Sequence, residues 1–323
     1  MQKRFIIIFI IFIMSLTLLG GCTNKNKQSG RIKIVTTIFS EYDWVLNVLG
    51  DQKDQKEVTL LLDKGIDLHS YQPSVVDIAK VSSCDLFIYV GGESDDWVDK
   101  TLANATNKEM VVINLLEVLG DRAKEEELVD GMEAPDEEED EEEEVEYDEH
   151  VWLSLQNASL FVDQIALALG QIDEENKDIY LANANQYKTL LQELDNRYRA
   201  AVNSANKNVL LFGDRFPFRY LVDDYNLSYY AAFIGCSAET EASFETIIFL
   251  ANKVNEYGLS SIIKIESSDG KIAKTIKENT NTKDQKILTL DSLQSATMKE
   301  YQAGRTYLKV MEDNLSVLIE ALN

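Results

Sequence analysis

The stretch "KEVTLLLDKGIDLHSYQPSVVDIAKVSSCDLFIYVGG", residues 56–92, sets the fold class. It opens on an apolar, β-rich run at 56–62, closes on another at 84–92, and leaves a helix-length segment between them. Strands that alternate with helices build a parallel sheet covered on both faces. Working outward, "RIKIVTTIF" (31–39) and "EMVVINL" (109–115) add two more such runs. Trp44, Val45, Val48 and Leu49 give a helical period that stops at Gly50. The alternation resumes with "NVLLFGD" (208–214), "YYAAFIG" (229–235), "SSIIKIES" (260–267) and "QKILTLD" (285–291), without visible sequence repetition, and closes on a helix predicted over Thr297–Leu322.

Two helical segments separate these halves. "QNASLFVDQIALALGQI" is amphipathic, and Asp173 to Val202 carries the longest helical signal, free of glycine and proline. Within it Tyr187, Leu190, Leu191, Leu194, Tyr198 and Ala201 mark one face. Such a helix spans roughly 40 Å, enough to run the length of a domain. The expectation is an α/β protein of two lobes with mostly parallel sheets: an N-terminal lobe over 23–170, a linking helix over 171–205 and a C-terminal lobe over 206–323.

Charge narrows the partners. The chain has 323 residues, 45% of them hydrophobic, and a formal net charge of −25. Roughly half of that charge lies in the run 133–149, where 13 of 17 residues are acidic. This sign argues against nucleic acid and anionic lipid as partners and leaves cations as natural ligands. Like charges at this density form no packed core, so a disordered acidic segment is expected.

The N-terminus fixes the compartment. Lys3 and Arg4 precede the apolar run "FIIIFIIFIMSLTLL", which ends in "LLGGC" at Cys22. A basic start, a short apolar stretch and a small-residue site read as a secretory signal over 1–22. "LGGC" resembles a bacterial lipobox, which implies Cys22 as the lipidated first residue of an exported, membrane-held chain; an uncleaved anchor helix is the alternative. The other two cysteines, Cys84 and Cys236, are expected as buried free thiols, since one bridge is no scaffold and their spacing gives no metal signature.

The chain has two histidines. His69 follows the run at 56–62, His150 ends the acidic run in "YDEHVWLSLQNA", and both sit in loops flanking apolar segments beside carboxylates. A lone histidine is more often structural than a ligand, but two of them in strand-end loops suit a borderline divalent ion such as zinc or manganese.

"VTTIFSEYDWVLNVLGD", "GIDLHSYQPSVVDIAKVSSCDLFIYVGGESDDWVDK" and "YDEHVWLSLQNA" together resemble the metal-binding receptors of zinc and manganese ABC importers. The resemblance runs from Arg31 to the C-terminus. It implies two lobes joined by one long rigid helix, and His69 and His150 as metal ligands. It also implies a fourth ligand at Asp291, whose alternative is a helix N-cap. At the third ligand position the sequence departs, because "FGDRFPFRYLVDDYNL" puts Arg215 there in an ungapped match, and a guanidinium binds no cation. One inserted residue places Asp214 there instead, with Glu241 in "CSAETEAS" as the reserve candidate.

The function implied is capture of a divalent ion, most readily zinc, between the lobes and delivery to an ABC permease. By the same resemblance the acidic loop occupies the place of a mobile, metal-concentrating insertion. Manganese is the alternative cargo, and an adhesion lipoprotein that retains the fold is the alternative role. A metallohydrolase is disfavoured, since no "HExxH" and no second histidine cluster exist.

Overall fold

Both sheets are parallel throughout and share one strand order. In the first, β1 (Lys33–Thr36) and β3 (Leu86–Tyr89) are central, flanked by β2 (Glu57–Leu60) and β4 (Val111–Asn114), in the order β2-β1-β3-β4. In the second, β5 (Val209–Phe216) and β7 (Ser261–Ile265) are central, flanked by β6 (Ser228–Ile234) and β8 (Lys286–Leu290), in the order β6-β5-β7-β8. All four residues of β3 are buried, as expected of a continuous apolar run covered on both faces. This computed structural model describes residues 31–133, 146–237 and 241–323. The expected signal segment with Cys22 and the middle of the acidic run lie outside the described residues.

The eight predicted strands are all present, several of them shorter than their apolar runs. "RIKIVTTIF" stops as a strand at Thr36 because the Glu41 carboxylate, buried at the start of α1 (Phe39–Leu49), accepts from the backbone N–H of Thr37 at 2.8 Å and of Ile38 at 3.2 Å. Those bonds turn the chain out of the sheet and into the helix. Helix α2 (Val75–Ser83) crosses from β2 to β3, α3 (Trp97–Ala103) from β3 to β4, and α4 (Leu115–Leu119) follows β4 directly.

The link between the sheets is a helical hairpin. Helix α5 (Leu155–Ile172) ends at Asp173, a short turn intervenes, and α6 runs Lys177–Ser204, 28 residues or about 42 Å. Tyr180, Ala184, Tyr187, Leu191, Leu194 and Tyr198 form its buried face, while Leu190, expected on that face, is 45% exposed. One half of α6 is bonded to α1, through Asn183 to Val48 O at 2.9 Å and Tyr187 to Asp43 at 3.2 Å. The other half is bonded to the last helix, through Tyr198 to Met311 O at 2.6 Å.

In the second half, α7 (Arg219–Asp224) and α8 (Phe244–Tyr257) flank β6, and α9 (Lys271–Asn279) joins β7 to β8. The helix predicted over Thr297–Leu322 is broken in two, α10 (Met298–Gln302) and α11 (Tyr307–Ala321). Gly304 adopts φ +95° in the gap, and the Thr306 hydroxyl caps the second helix at Lys309 N. The break turns Arg305 towards the end of β8. Residues 32–323 pack as one unit, and among the described residues no helix is long and apolar enough to cross a membrane.

Helix α5 starts at Ser154, whose hydroxyl accepts from Asn157 N and donates to the Asp224 carboxylate of α7 at 2.6 Å. Burial, with repulsion from Asp195, pushes Asp224 up to about 6. An ordinary aspartate titrates near ~3.9, so the native state takes up this proton at higher pH than the unfolded chain, and the group favours folding more as pH falls through 6. Asp224→Asn keeps an acceptor for Ser154 and removes the buried charge. Thermal melts should therefore show the variant more stable than the parent at about pH 7.5, with the difference closing near pH ~5. An equal difference at both pH values would contradict this assignment.

Candidate metal centre

Three side chains converge where the loops of the two sheets meet. The ligand atoms of His69, His150 and Cys236 all lie within 4.8 Å of one another. His69 sits in a single 3-10 turn, Leu68–Ser70, after β2; Asp67 caps the turn by accepting from His69 N at 3.1 Å. His150 sits before a second such turn, Val151–Leu153, and its backbone N–H donates to Asp148 at 2.8 Å. The two Nε2 atoms are 3.1 Å apart.

The outer nitrogens of both rings are committed. His150 Nδ1 faces Asp148 Oδ1 at 3.0 Å, and an ionised carboxylate only accepts, so the proton sits on Nδ1 and the lone pair on Nε2. His69 Nδ1 lies 2.9 Å from Ser94 Oγ, a hydroxyl that can donate or accept, and 3.4 Å from Glu149 Oε2. Asp148 and Glu149 are the last two acids of the acidic run. The run therefore ends on a histidine because its final carboxylates orient the two imidazoles, an arrangement that raises ligand basicity. Glu149 reaches this position by accepting from Ser94 N at 2.8 Å over Gly92, a glycine at φ +83° with no room for a side chain.

Electrostatics favour a cation between the rings. Burial and the neighbouring His150 push His69 down to about 3. His150 is fully buried, which opposes its charge, yet Asp148 and then Glu149 raise it above the usual value. So close a pair holds at most one proton between its Nε2 atoms, and a divalent ion at the shared point would take its place. The side-chain amide of Gln294, from the loop after β8, donates to His150 Nε2 at 2.7 Å and lies 3.2 Å from His69 Nε2.

The remaining expected ligands occupy other places. Asp214 lies at the irregularity in β5 and accepts from Arg215 N at 2.9 Å and Ile265 N at 3.3 Å, standing in for a missing ladder acceptor. Asp291 accepts from Leu293 N at 2.9 Å and pairs with Arg305 at 2.9 Å; it shapes the loop in which Leu293 takes φ +62° and Gln294 turns inward, and Thr297 rather than Asp291 caps the following helix. Glu241 is exposed ahead of Ser243, the cap of α8. Neither these carboxylates nor Arg215 belongs to the three-residue cluster.

Arg215 instead clamps the site shut. Its guanidinium pairs with Asp67 Oδ2 at 2.7 Å and donates to Ser237 O at 3.2 Å, joining the β5 end to both the His69 turn and the Cys236 loop. Although burial opposes it, this guanidinium holds the Asp67 carboxyl below the usual range. Trp152 Nε1 donates to Ser292 O at 2.9 Å and adds a second tie between the sheets.

Two of these participants had no sequence signal. Cys84 is a buried free thiol as expected, pushed up to about 12 by burial. Cys236 is free but only half-buried, and it stands beside the histidines. Gln294 is an unremarked glutamine in a loop.

The chain is similar to known proteins along most of its length. The family described as zinc-uptake complex component A, periplasmic, matches residues 34–321. The zinc-binding protein AdcA of Streptococcus pyogenes is 30% identical over 296 residues, covering 90% of this chain and 56% of the relative, so the chain spans about half the length of that protein. The high-affinity zinc uptake system protein ZnuA of Bacillus subtilis is 27% identical, covering 100% of this chain and 99% of its own length. The Zn(II)-bound ZnuA-like domain of Streptococcus pneumoniae AdcA superposes with a TM-score of 0.71 at 28% identity, over 91% of this chain and 99% of that one. Two parallel sheets, a long connecting helix and a family match over residues 34–321 place the chain in the ZnuA family of zinc-uptake complex components.

Proposed function

We propose that this protein is an extracytoplasmic receptor that captures zinc at the junction of its two sheets and delivers it to an ABC permease. The observation that carries the reading is the facing pair of Nε2 atoms 3.1 Å apart, each ring held through Nδ1 beside an acidic side chain. Neutral imidazole at a buried, anion-lined point binds a borderline divalent ion well, and the zinc-binding names of the relatives favour zinc over manganese. Asp214 and Asp291 serve the ion indirectly, the first by closing the β5 irregularity and the second by shaping the Gln294 loop. Cys22 supplies the lipid anchor and 23–30 the tether to the membrane.

Capture follows from the closed geometry. An entering ion displaces the Gln294 amide from the two lone pairs, and the Arg215–Asp67 pair holds the His69 turn against the second sheet once the ion is seated. The acidic run, joined directly to Asp148 and Glu149, raises the local concentration of divalent cations at the entrance.

Competition titration should find one tightly held zinc. His69→Ala and His150→Ala should each weaken it by about 100-fold or more, and Asp148→Asn, which leaves the ligands in place, by about 10- to 100-fold. Asp214→Ala and Asp291→Ala should cost less than about tenfold. Absence of tight zinc in the unaltered protein would overturn the reading and favour the adhesion role. A second test concerns the acidic run: deleting 134–145 should slow zinc association while leaving dissociation unchanged, and high salt should erase the difference. Equal association rates at low salt would remove the run from the capture mechanism.

A further inference from the structure

We infer that Cys236 is the third metal ligand, supplied by the second sheet as a thiolate, and that it makes the site selective for soft late-transition ions such as zinc over manganese. The inference rests on the receptor reading above and names what that reading leaves open, the donor that closes the ion from the C-terminal side.

Three independent observations converge on it. The Cys236 sulfur shares a 4.8 Å cluster with a ligand atom of each histidine. Gly235 lies against the His150 ring so closely that a Cβ there would sit 2.7 Å from Cε1 and 3.0 Å from Nδ1, so the backbone itself brings the next residue to the imidazole. The topology also makes Cys236 the counterpart of His69. Both sheets have the same strand order, His69 lies in the loop from β2 to α2, and Cys236 lies in the loop from β6 to α8. Each loop ends on a serine cap, Ser74 accepting from Asp77 N at 3.2 Å and Ser243 from Thr246 N at 3.1 Å. The second strand of each lobe thus delivers one donor to the same point.

Burial and the nearby Glu126, Glu149 and Asp148 carboxylates raise the Cys236 thiol, so it stays protonated until a cation binds, and the same carboxylates offset the charge of the ion. The Cys236 side chain faces the Glu126 carboxylate, one oxygen of which has no hydrogen-bond partner, and Glu149 Oε2, on a residue 2% exposed, likewise lacks one. On binding, sulfur forms a bond to the divalent ion and the S–H bond breaks, its proton passing to Glu126 and then to water. Two imidazoles and one thiolate leave a fourth position for water or a side-chain oxygen, a set found in zinc sites, whereas manganese prefers oxygen donors.

Cobalt(II) substitution tests this on the full chain. Titration of the unaltered protein should give tetrahedral d–d bands together with a near-ultraviolet thiolate-to-cobalt charge-transfer band. Zinc should also protect Cys236 from alkylation. Cys236→Ser should lose the charge-transfer band, keep the d–d bands, lower zinc affinity by at least about tenfold and narrow the zinc-to-manganese affinity ratio. Cobalt bound without a charge-transfer band in the unaltered protein, with Cys236 still alkylated in the presence of zinc, overturns the thiolate ligand while leaving the receptor reading intact. No cobalt or zinc binding at all overturns the receptor reading and this inference with it.

Discussion

Two imidazole Nε2 atoms 3.1 Å apart are the constraint around which the molecule is arranged. Between two lone pairs such a contact is unfavourable unless a proton, an amide or a cation lies between, and each ring stands beside an acidic side chain, with Asp148 turning the His150 lone pair inward. Asp148 and Glu149 do this from the end of the acidic run, and Gly92 and Gly235 allow carboxylate and backbone to approach closely enough. The ties from the second sheet, through Arg215, Ser292 and Gln294, hold the two halves around that point. The long helix, bonded to α1 at one half and to α11 at the other, sets the spacing within which these ties can form.

The positions of Asp214 and Arg215 show how a strand end can exchange roles. A ligand was expected near this point, and the chain offers a carboxylate and a guanidinium side by side. The carboxylate is consumed by the backbone at the irregularity where β5 pairs with β6, accepting from Arg215 N of its own strand and from Ile265 N of β7. The guanidinium is left pointing at the histidine turn, where it neutralises Asp67 and fixes the loop. A cation captured here is thus enclosed partly by an ion pair rather than by a further ligand at that strand.

Much of the fold was legible because its strands are short apolar runs separated by helix-length amphipathic stretches, and period decides such elements. The histidines were legible because there are two and both flank apolar runs. Leu190 was misplaced because its period also fits the buried stripe of α6, and only packing against α5 and α1 decides which edge of that stripe is covered. The terminal helix read as continuous because its apolar positions keep their period across Gly304, whose positive φ is a tertiary choice that turns Arg305 to Asp291. Cys236 was illegible for a deeper reason: its partners lie 86 and 167 residues away in sequence, and its equivalence to His69 exists in strand order alone.

The account stands or falls on what surrounds the bound ion. X-ray absorption at the zinc edge of the loaded protein reads that shell directly. The account predicts two imidazole nitrogens at roughly 2.0–2.1 Å and one sulfur at roughly 2.3 Å. A shell of oxygens without imidazole scattering would contradict it at its centre.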